Sequence, residues 1–109
     1  MMFLNSYQKA ATKTRIYKDD HKIMYPALGL CGEAGEVAEK IKKLYRDSEG
    51  DVSQGFQLAV KKELGDVLWY IANLANDLGL SLDDIAKTNL KKLAARKKSN
   101  KISGSGDDR

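Results

Sequence analysis

The sequence is short of the residues that build several common kinds of site. Its 109 residues include one cysteine, one histidine, one proline and one tryptophan. A lone cysteine, Cys31, excludes an internal disulfide and fits a reducing compartment. A single histidine, His21, is too few for a zinc site of the Cys/His type or for a di-iron bundle with Glu-x-x-His pairs. The chain also has no glycine-rich phosphate loop ending in Lys-Ser/Thr and no motif of a Ser-His-Asp hydrolase.

No apolar run in the chain is long enough to span a bilayer, and residues 1–4 are too short for the core of a signal peptide. We therefore expect a cytoplasmic protein with no membrane partner. The length suits one small domain, and 42% hydrophobic residues with one proline are typical of a helix-rich globular chain. We expect a helical domain over residues 1–98. Residues 99–109 form a basic tail with glycine and serine, for which a mobile terminus is the preferred interpretation.

Two stretches of the sequence carry pairs of carboxylates three residues apart. Residues 32–40 contain Glu33 and Glu36, and residues 62–70 contain Glu63 and Asp66. Around both pairs, apolar residues recur at alternating steps of three and four, which predicts helices with a stripe that faces the core. The stripe residues are Leu30, Ala34, Val37, Ile41 and Leu44 in the first stretch, and Val60, Leu64, Val67, Ile71, Leu74 and Leu78 in the second.

Each acid stands one residue before a stripe residue, so each pair flanks its stripe on the same rotational side. The connection between about Asp47 and Gly55 is short, which favours antiparallel neighbours. If the stripes of two antiparallel helices face each other, both acid rows lie on the same side of the contact. The sequence therefore predicts four carboxylates lining one groove. Clustered carboxylates repel one another unless a cation joins them, and Mg²⁺ prefers such oxygen ligands and often bridges to phosphates.

The acid row continues along the second stretch through Tyr70 and Asn73, which could line the same groove beyond the metal ligands. Helix packing and a surface amide are the equally plausible alternatives for these two residues. The Glu-x-x-Glu motif itself has an alternative interpretation as a solvated helix surface, because this spacing is common on such helices. There, i,i+4 pairs such as Glu36 with Lys40 stabilise the helix without catalysing a reaction.

The residue patterns Leu-Cys-Gly-Glu-Ala-Gly-Glu-Val at 30–37 and Glu-Leu-Gly-Asp-Val-Leu-Trp-Tyr at 63–70 resemble the metal motif of the MazG-like nucleotide pyrophosphohydrolases. The resemblance extends from about Tyr7 to the C-terminus. It implies an all-α bundle of four helices, with the second and third antiparallel. It also implies Mg²⁺-dependent hydrolysis of an NTP or dNTP to the monophosphate and pyrophosphate, with Mn²⁺ as a possible substitute and the clearing of unwanted nucleotides as the role. Gly32 stands where many members have a further glutamate, so the number of metal ions stays open.

The resemblance also assigns roles to particular residues. Glu36 is the candidate to accept a proton from the attacking water. A pattern of Asn, Lys and Arg in the last helix implies phosphate binding by Asn89, Lys92 and Arg96, although Lys91 adjoins Lys92. The metal ligands implied are Glu33, Glu36, Glu63 and Asp66. The register of the acid row, and not the resemblance, adds Tyr70 and Asn73 as candidate substrate contacts.

The charge of the chain is unevenly placed. The whole chain carries a net charge of +4, and residues 87–109 hold eight basic residues against two acidic ones. Such a segment suits a phosphate-bearing ligand, but on composition alone a solvated, lysine-rich last helix is the simpler interpretation. The alternative function is a non-catalytic helical module that binds an acidic partner or nucleic acid through this segment, with salt-sensitive, metal-independent binding. We do not expect nucleic acid to be a partner of this protein.

The sequence also predicts self-association. A small helical chain buries a limited interior, and Leu68 and Ala72 widen the apolar surface beside the stripe of the third helix. One partner helix cannot cover that surface. We therefore expect a homodimer, the commonest closed assembly, or a homotetramer made of two dimers, which the resemblance permits.

Overall fold

The computed structural model describes residues 3–99 together with Gly104, Gly106 and Asp107. Over these residues the fold is all-α, as predicted, with no strand. The helices are α1 (Leu4–Thr12), α2 (Met24–Ser48), α3 (Gln54–Asp77) and α4 (Leu82–Lys98), and a single 3₁₀ turn at Asp19–His21 lies between α1 and α2. The largest contact joins α2 to α3, while α1 packs on α3 and α4 packs mainly on α1. None of the described helices is long and apolar enough to cross a bilayer.

A five-residue turn reverses the chain between α2 and α3. Glu49 takes a left-handed conformation after the last residue of α2, and Gly50 follows with φ of +80°. The amides of Glu49 and Gly50 both donate to the carbonyl of Leu44, that of Gly50 at 3.2 Å, and these bonds close the end of α2. The hydroxyl of Ser53 then accepts from the amide of Phe56 at 3.1 Å and caps α3. Both ends of the turn are therefore fixed by hydrogen bonds, and the two helices run antiparallel.

The first helix is shorter than its pattern suggests. The spacing of apolar residues predicts a helix over residues 5–18, but α1 ends at Thr12. The hydroxyls of Thr12 and Thr14 donate to the carbonyls of Lys9 and Ala11, and these bonds compete with continuation of the helix. Beyond this point the chain is irregular, which lets Tyr17 turn into the protein, where 7% of it is exposed.

A buried carboxylate, that of Asp77, joins the end of α3 to the start of α2. The Tyr17 hydroxyl donates to it at 2.8 Å and the Ile23 amide donates at 3.1 Å, while its side chain is fully buried. Ile23 has φ of +67° and ψ of −59°, a left-handed γ-turn geometry that is strained for a β-branched residue. The bond from Ile23 to Asp77 therefore stabilises a strained turn and fixes where α2 begins relative to α3.

The last helix is attached through a buried amide, that of Gln8 in α1. Its nitrogen donates to the carbonyl of Leu80 at 2.9 Å, and its oxygen accepts from the amide of Leu82 at 2.9 Å. Ser81 caps α4, because its hydroxyl accepts from the amide of Asp84. The core at this end of the molecule is small. It is formed by Ala11, Ala72, Ala75 and Leu82, with Tyr7, Trp69 and Ile71 packed against it.

The predicted apolar stripes are only partly covered within one chain. Leu44 is buried, but Leu64 is 53% exposed and Leu78 is 49% exposed. The expectation of a fully core-facing stripe is wrong for these residues because no further element of the described chain covers that side of α3. The accessible surface is 8173 Å², whereas a compact monomer of this mass exposes about 6,000 Å². The single chain is thus an open arrangement of helices.

Replacement of Tyr17 by phenylalanine tests the Asp77 anchor. Tyr17→Phe removes a donor from a buried carboxylate and should lower the free energy of unfolding by about 1–3 kcal/mol in urea titrations. Burial, and after it the bond to Asp77, raises the pKa of Tyr17 to about 12. The folded state therefore favours the neutral phenol. Its contribution is complete below about pH 10, the pKa of an unfolded tyrosine, and is lost as the pH rises from about 10 to about 12.

The matched control is Tyr45→Phe, since Tyr45 is 68% exposed. Tyr45→Phe should leave both the stability at neutral pH and its decline above pH 10 unchanged. Equal stability of the two variants, or an undiminished alkaline decline in Tyr17→Phe, would mean that Asp77 does not depend on this bond.

Candidate functional site

The packing of α2 on α3 brings three carboxylates together. Glu63 and Asp66 lie one turn apart on α3, and Glu33 faces them from α2. One oxygen from each of the three side chains lies within 4.8 Å of the other two. Glu33 and Glu63 are half-buried, and Asp66 is exposed. These are three of the four acids that the helical register predicts to share a groove.

The surroundings of Glu33 disfavour its ionised form. Partial burial raises the pKa of Glu33, and a hydrogen bond with Glu63 and the charges of Asp66, Glu63 and Glu36 raise it further. Among the described residues, the cation paired with this cluster is that of Lys40 on α2, whose ammonium lies 3.7 Å from a Glu63 oxygen. One lysine cannot balance three carboxylates, so the cluster is a place where an added cation stabilises the ionised state.

Glu36 is exposed and does not belong to the three-acid cluster in the described chain. The negative charge of Glu36 nevertheless helps to raise the pKa of Glu33. The i,i+4 pair of Glu36 with Lys40 that the sequence suggests is replaced by the contact of Lys40 with Glu63. Glu36 therefore carries a carboxylate beside the cluster, and its role as ligand or base stays a prediction.

The chemistry of the cluster fits a hard divalent cation. It offers carboxylate oxygens alone, with neither the imidazole of His21 nor the thiol of Cys31 among its donors. Mg²⁺ is commonly held by one or two carboxylates with waters and phosphates as its other ligands, and Mn²⁺ accepts the same donors. Glu33, Glu63 and Asp66 are the residues that would hold such an ion.

The cluster opens into a cavity of about 380 Å³, which we call the acidic cleft. Two of the acids lie in its wall, and the rest of the wall is aromatic, aliphatic or glycine. The lining residues are Tyr7, Ile16, Glu33, Gly65, Asp66, Trp69 and Tyr70. Burial raises the pKa of Tyr7, and the charge of Asp66 raises it further, so the phenol stays neutral beside the acids. The lining of the cleft thus combines negatively charged and aromatic side chains.

A second cavity, of about 490 Å³, adjoins the acidic cleft, and we call it the aromatic cavity. It is lined by His21, Met24, Tyr25, Leu28, Gly29 and Tyr70. The ring of Tyr25 stacks on that of Tyr17 with centroids 4.8 Å apart. Tyr70 belongs to both cavities, as its place in the acid row suggests. Burial raises its pKa, and the neighbouring Tyr25 and Glu33 raise it further, so it also stays neutral.

Asn73, the next residue of the acid row, lies inside the protein. It is fully buried, and its amide nitrogen donates to the carbonyl of Trp69 at 3.0 Å. Its side-chain oxygen has no hydrogen-bond partner among the described residues. The structure thus places Asn73 in the helix packing and in neither of the two cavities, which corresponds to the packing alternative. Its role in substrate binding stays a prediction.

The basic residues of α4 meet the tail of the same chain. Arg96 is 5% exposed and donates to the carbonyl of Asp107 at 2.7 Å and to that of Gly106 at 3.3 Å. Lys92 lies 2.9 Å from the Asp107 carboxylate, and hydrogen bonds from Lys92 and Arg96 lower the pKa of that carboxyl. Asn89 is exposed on the same helix. The three residues assigned to phosphate are therefore not part of the lining of the acidic cleft in one chain.

Sequence reasoning missed two tyrosines that line the cavities. Tyr7 comes from α1 and Tyr25 from the first turn of α2, and neither belongs to the acid row. Their positions depend on how α1 and the strained turn at Ile23 pack on α3, which no periodicity reveals. His21, the single histidine, is exposed and lies in the wall of the aromatic cavity.

Comparison with known proteins shows which family the chain belongs to. The model of the MazG nucleotide pyrophosphohydrolase domain matches residues 21–100, which include all of α2, α3 and α4. The chain belongs to the MazG nucleotide pyrophosphohydrolase family.

A curated relative of this MazG chain is the gene 37 protein of Mycobacterium phage L5. The two are 43% identical over 114 residues, which cover 99% of this chain and all of the relative. The name of that protein gives no activity. No solved structure matched the chain significantly.

Substitution of Asp66 tests the candidate metal centre. Asp66→Asn removes one of three clustered charges and should weaken Mn²⁺ binding by about tenfold or more, with helix content unchanged. Calorimetric titration with Mn²⁺ measures the affinity, and circular dichroism measures the helix content. Glu39→Gln is the control, because Glu39 is an exposed acid of α2 that pairs with Lys42 outside the cluster. Equal loss of affinity in both variants would show general charge attraction and no ligand role for Asp66.

Proposed function

We propose that the protein is a Mg²⁺-dependent hydrolase that cuts a nucleoside triphosphate between the α- and β-phosphates. The observation that carries the proposal is the convergence of Glu33, Glu63 and Asp66 in a cleft that adjoins an aromatic cavity. A cation at the acids and a cavity with stackable rings beside them suit the two ends of a nucleotide. Membership of the MazG family supplies the reaction class.

The reaction consumes one water. The water oxygen bonds to the α-phosphorus as the α–β bond breaks, and the products are the monophosphate and pyrophosphate. Glu33, Glu63 and Asp66 would hold Mg²⁺, which when bound supplies positive charge against the phosphates. Glu36 lies beside the cluster with its carboxylate exposed, which suits it to accept the proton of the water.

On the substrate side, Tyr70 lines both cavities and would contact the nucleotide where its phosphates meet its nucleoside. The charge on the departing pyrophosphate would be offset by Lys92 and Arg96 with the help of Asn89. Since α4 packs mainly on α1, these residues would reach the acidic cleft of a neighbouring subunit. Phosphates would then compete with Asp107 for the two cations.

The alternative function is a non-catalytic helical module that binds an acidic partner through residues 87–109. The contacts of α4 argue against it, because Arg96 is buried and both Arg96 and Lys92 are paired with Asp107. Part of the basic charge is thus neutralised within the chain. Binding that is salt-sensitive and unaffected by removal of divalent metal would favour the alternative.

Product analysis tests the proposed function directly. The protein, incubated with Mg²⁺ and a panel of NTPs and dNTPs, should release pyrophosphate and the monophosphate, resolved by ³¹P NMR. Chelation of the metal should abolish the release. Asp66→Asn is the matched negative control. Orthophosphate and the diphosphate as products would contradict the proposal even if the protein consumed nucleotides.

We also propose that the active form is at least a dimer. Three observations support this: the open surface of 8173 Å², the exposed side chain of Leu64 and a radius of gyration of 16.6 Å. A compact chain of this length has a radius of about 13 Å. Covering the exposed side of α3 would bury apolar surface, and it would bring a second α4 within reach of the site.

Light scattering at micromolar concentration should give a mass of at least twice 12.1 kDa. Leu64→Glu places a charge on the exposed apolar face and should lower the mass toward the monomer, whereas Val52→Glu, at a 52% exposed residue in the α2–α3 turn, should not. A wild-type monomer that is stably folded and fully active on dilution would refute the assembly and the shared site together.

A further inference from the structure

Tyr70 forms the wall between the acidic cleft and the aromatic cavity. Its ring meets that of Trp69 edge to face, with centroids 5.0 Å apart, and lies 6.4 Å from the centroid of Tyr25. Any displacement of this ring would enlarge one cavity at the expense of the other. The position of the Tyr70 ring therefore shapes both the acidic cleft and the aromatic cavity.

The ring occupies the space that a side chain at residue 29 would need. A Cβ atom built on Gly29 would lie 2.6 Å from Cδ1 of Tyr70 and closer still to Cε1 and Cζ, which no packed side chain tolerates. Gly29 stands one helical turn before Glu33 on α2. The Tyr70 ring thus rests directly on the backbone of the helix that carries one of the three acids.

The other glycines of α2 do not have this role. A Cβ atom at Gly32 or Gly35 would meet nothing within 4 Å in the described chain. The spacing of three residues suggests a common purpose for Gly29, Gly32 and Gly35, but the contacts separate the first from the other two. Glycine destabilises a helix interior relative to alanine, so its use at residue 29 needs a local reason, and the Tyr70 ring supplies one.

We infer that Gly29 is a positioning residue, whose missing side chain seats the Tyr70 ring as the shared wall of the two cavities. This inference rests on the proposed function, since the wall matters if one substrate spans both cavities. A methyl group at residue 29 would push the ring into the acidic cleft or into the aromatic cavity. The substrate would then no longer place its flat group and its phosphates at their two sites together, while the three acids would remain in place.

The test compares Gly29→Ala, Gly35→Ala, Tyr70→Leu and the double variant Gly29→Ala/Tyr70→Leu. Trp69 is the sole tryptophan and touches Tyr70, so its emission reports the ring without any need for activity. Gly29→Ala should shift this emission and raise KM by about tenfold, with Mn²⁺ affinity within about twofold of wild type. Gly35→Ala should leave the Trp69 emission, the KM and the Mn²⁺ affinity unchanged.

The double variant decides whether Gly29 acts through the ring. In the Tyr70→Leu background, the added alanine should change KM by less than about twofold, because the ring that it would displace is gone. If Gly29→Ala unfolds, the double variant shows the cause. The clash with the Tyr70 ring is responsible only if the double variant, which lacks that ring, folds. Additive effects of the two substitutions, or an unchanged Trp69 emission in folded Gly29→Ala, would overturn the inference.

The readouts keep the inference separate from the proposed function. Absence of pyrophosphate release from the wild-type protein would contradict the proposed function and the positioning role for that reaction. A coupled shift of Trp69 emission would still establish that Gly29 seats Tyr70. Normal hydrolysis by Gly29→Ala would instead overturn the positioning role and leave the proposed function intact.

Discussion

The candidate site depends on holding three carboxylates close together against their mutual repulsion. Glu33, Glu63 and Asp66 approach within 4.8 Å, and the pKa of Glu33 is raised by burial and by its acidic neighbours. The packing of α2 on α3 holds them there, since each acid is fixed to a helix backbone and cannot move far from the others. A helix pair that keeps like charges together without a full complement of cations is prepared for a divalent ion.

The rest of the fold serves that helix pair. The turn capped by Ser53 fixes the antiparallel register, and the buried carboxylate of Asp77 ties the start of α2 to the end of α3. The same carboxylate holds the strained turn at Ile23, next to which His21 and Tyr25 enter the aromatic cavity. A polar anchor remote from the acids therefore shapes the part of the site that has no charge. In a chain with so small a core, a few buried hydrogen bonds fix much of the geometry of the site.

The register of the two acidic helices could be predicted because helical periodicity is local. Glu33, Glu63 and Asp66 converge for the reason that the sequence indicates, and the all-α fold follows from the same pattern. What escaped prediction depends on contacts between distant residues. The early end of α1 at Thr12 is the exception, because the hydroxyls of Thr12 and Thr14 bond to carbonyls three residues back. The burial of Asn73 and the place of Tyr7 in the acidic cleft result from tertiary packing. The exposure of Leu64 has the same origin, since a pattern shows that a face is apolar but not what covers it.

The central claim is that these three acids bind a divalent ion at the junction of α2 and α3. Paramagnetic broadening of backbone amide signals by substoichiometric Mn²⁺ in ¹⁵N-labelled protein tests it most directly, because the effect falls steeply with distance from the ion. The account predicts that the amides around Glu33, Glu63 and Asp66 broaden first, before those of Asp47 at the end of α2 and Asp51 in the turn that follows it. Broadening centred on that turn, or spread evenly over the exposed acids, would contradict it.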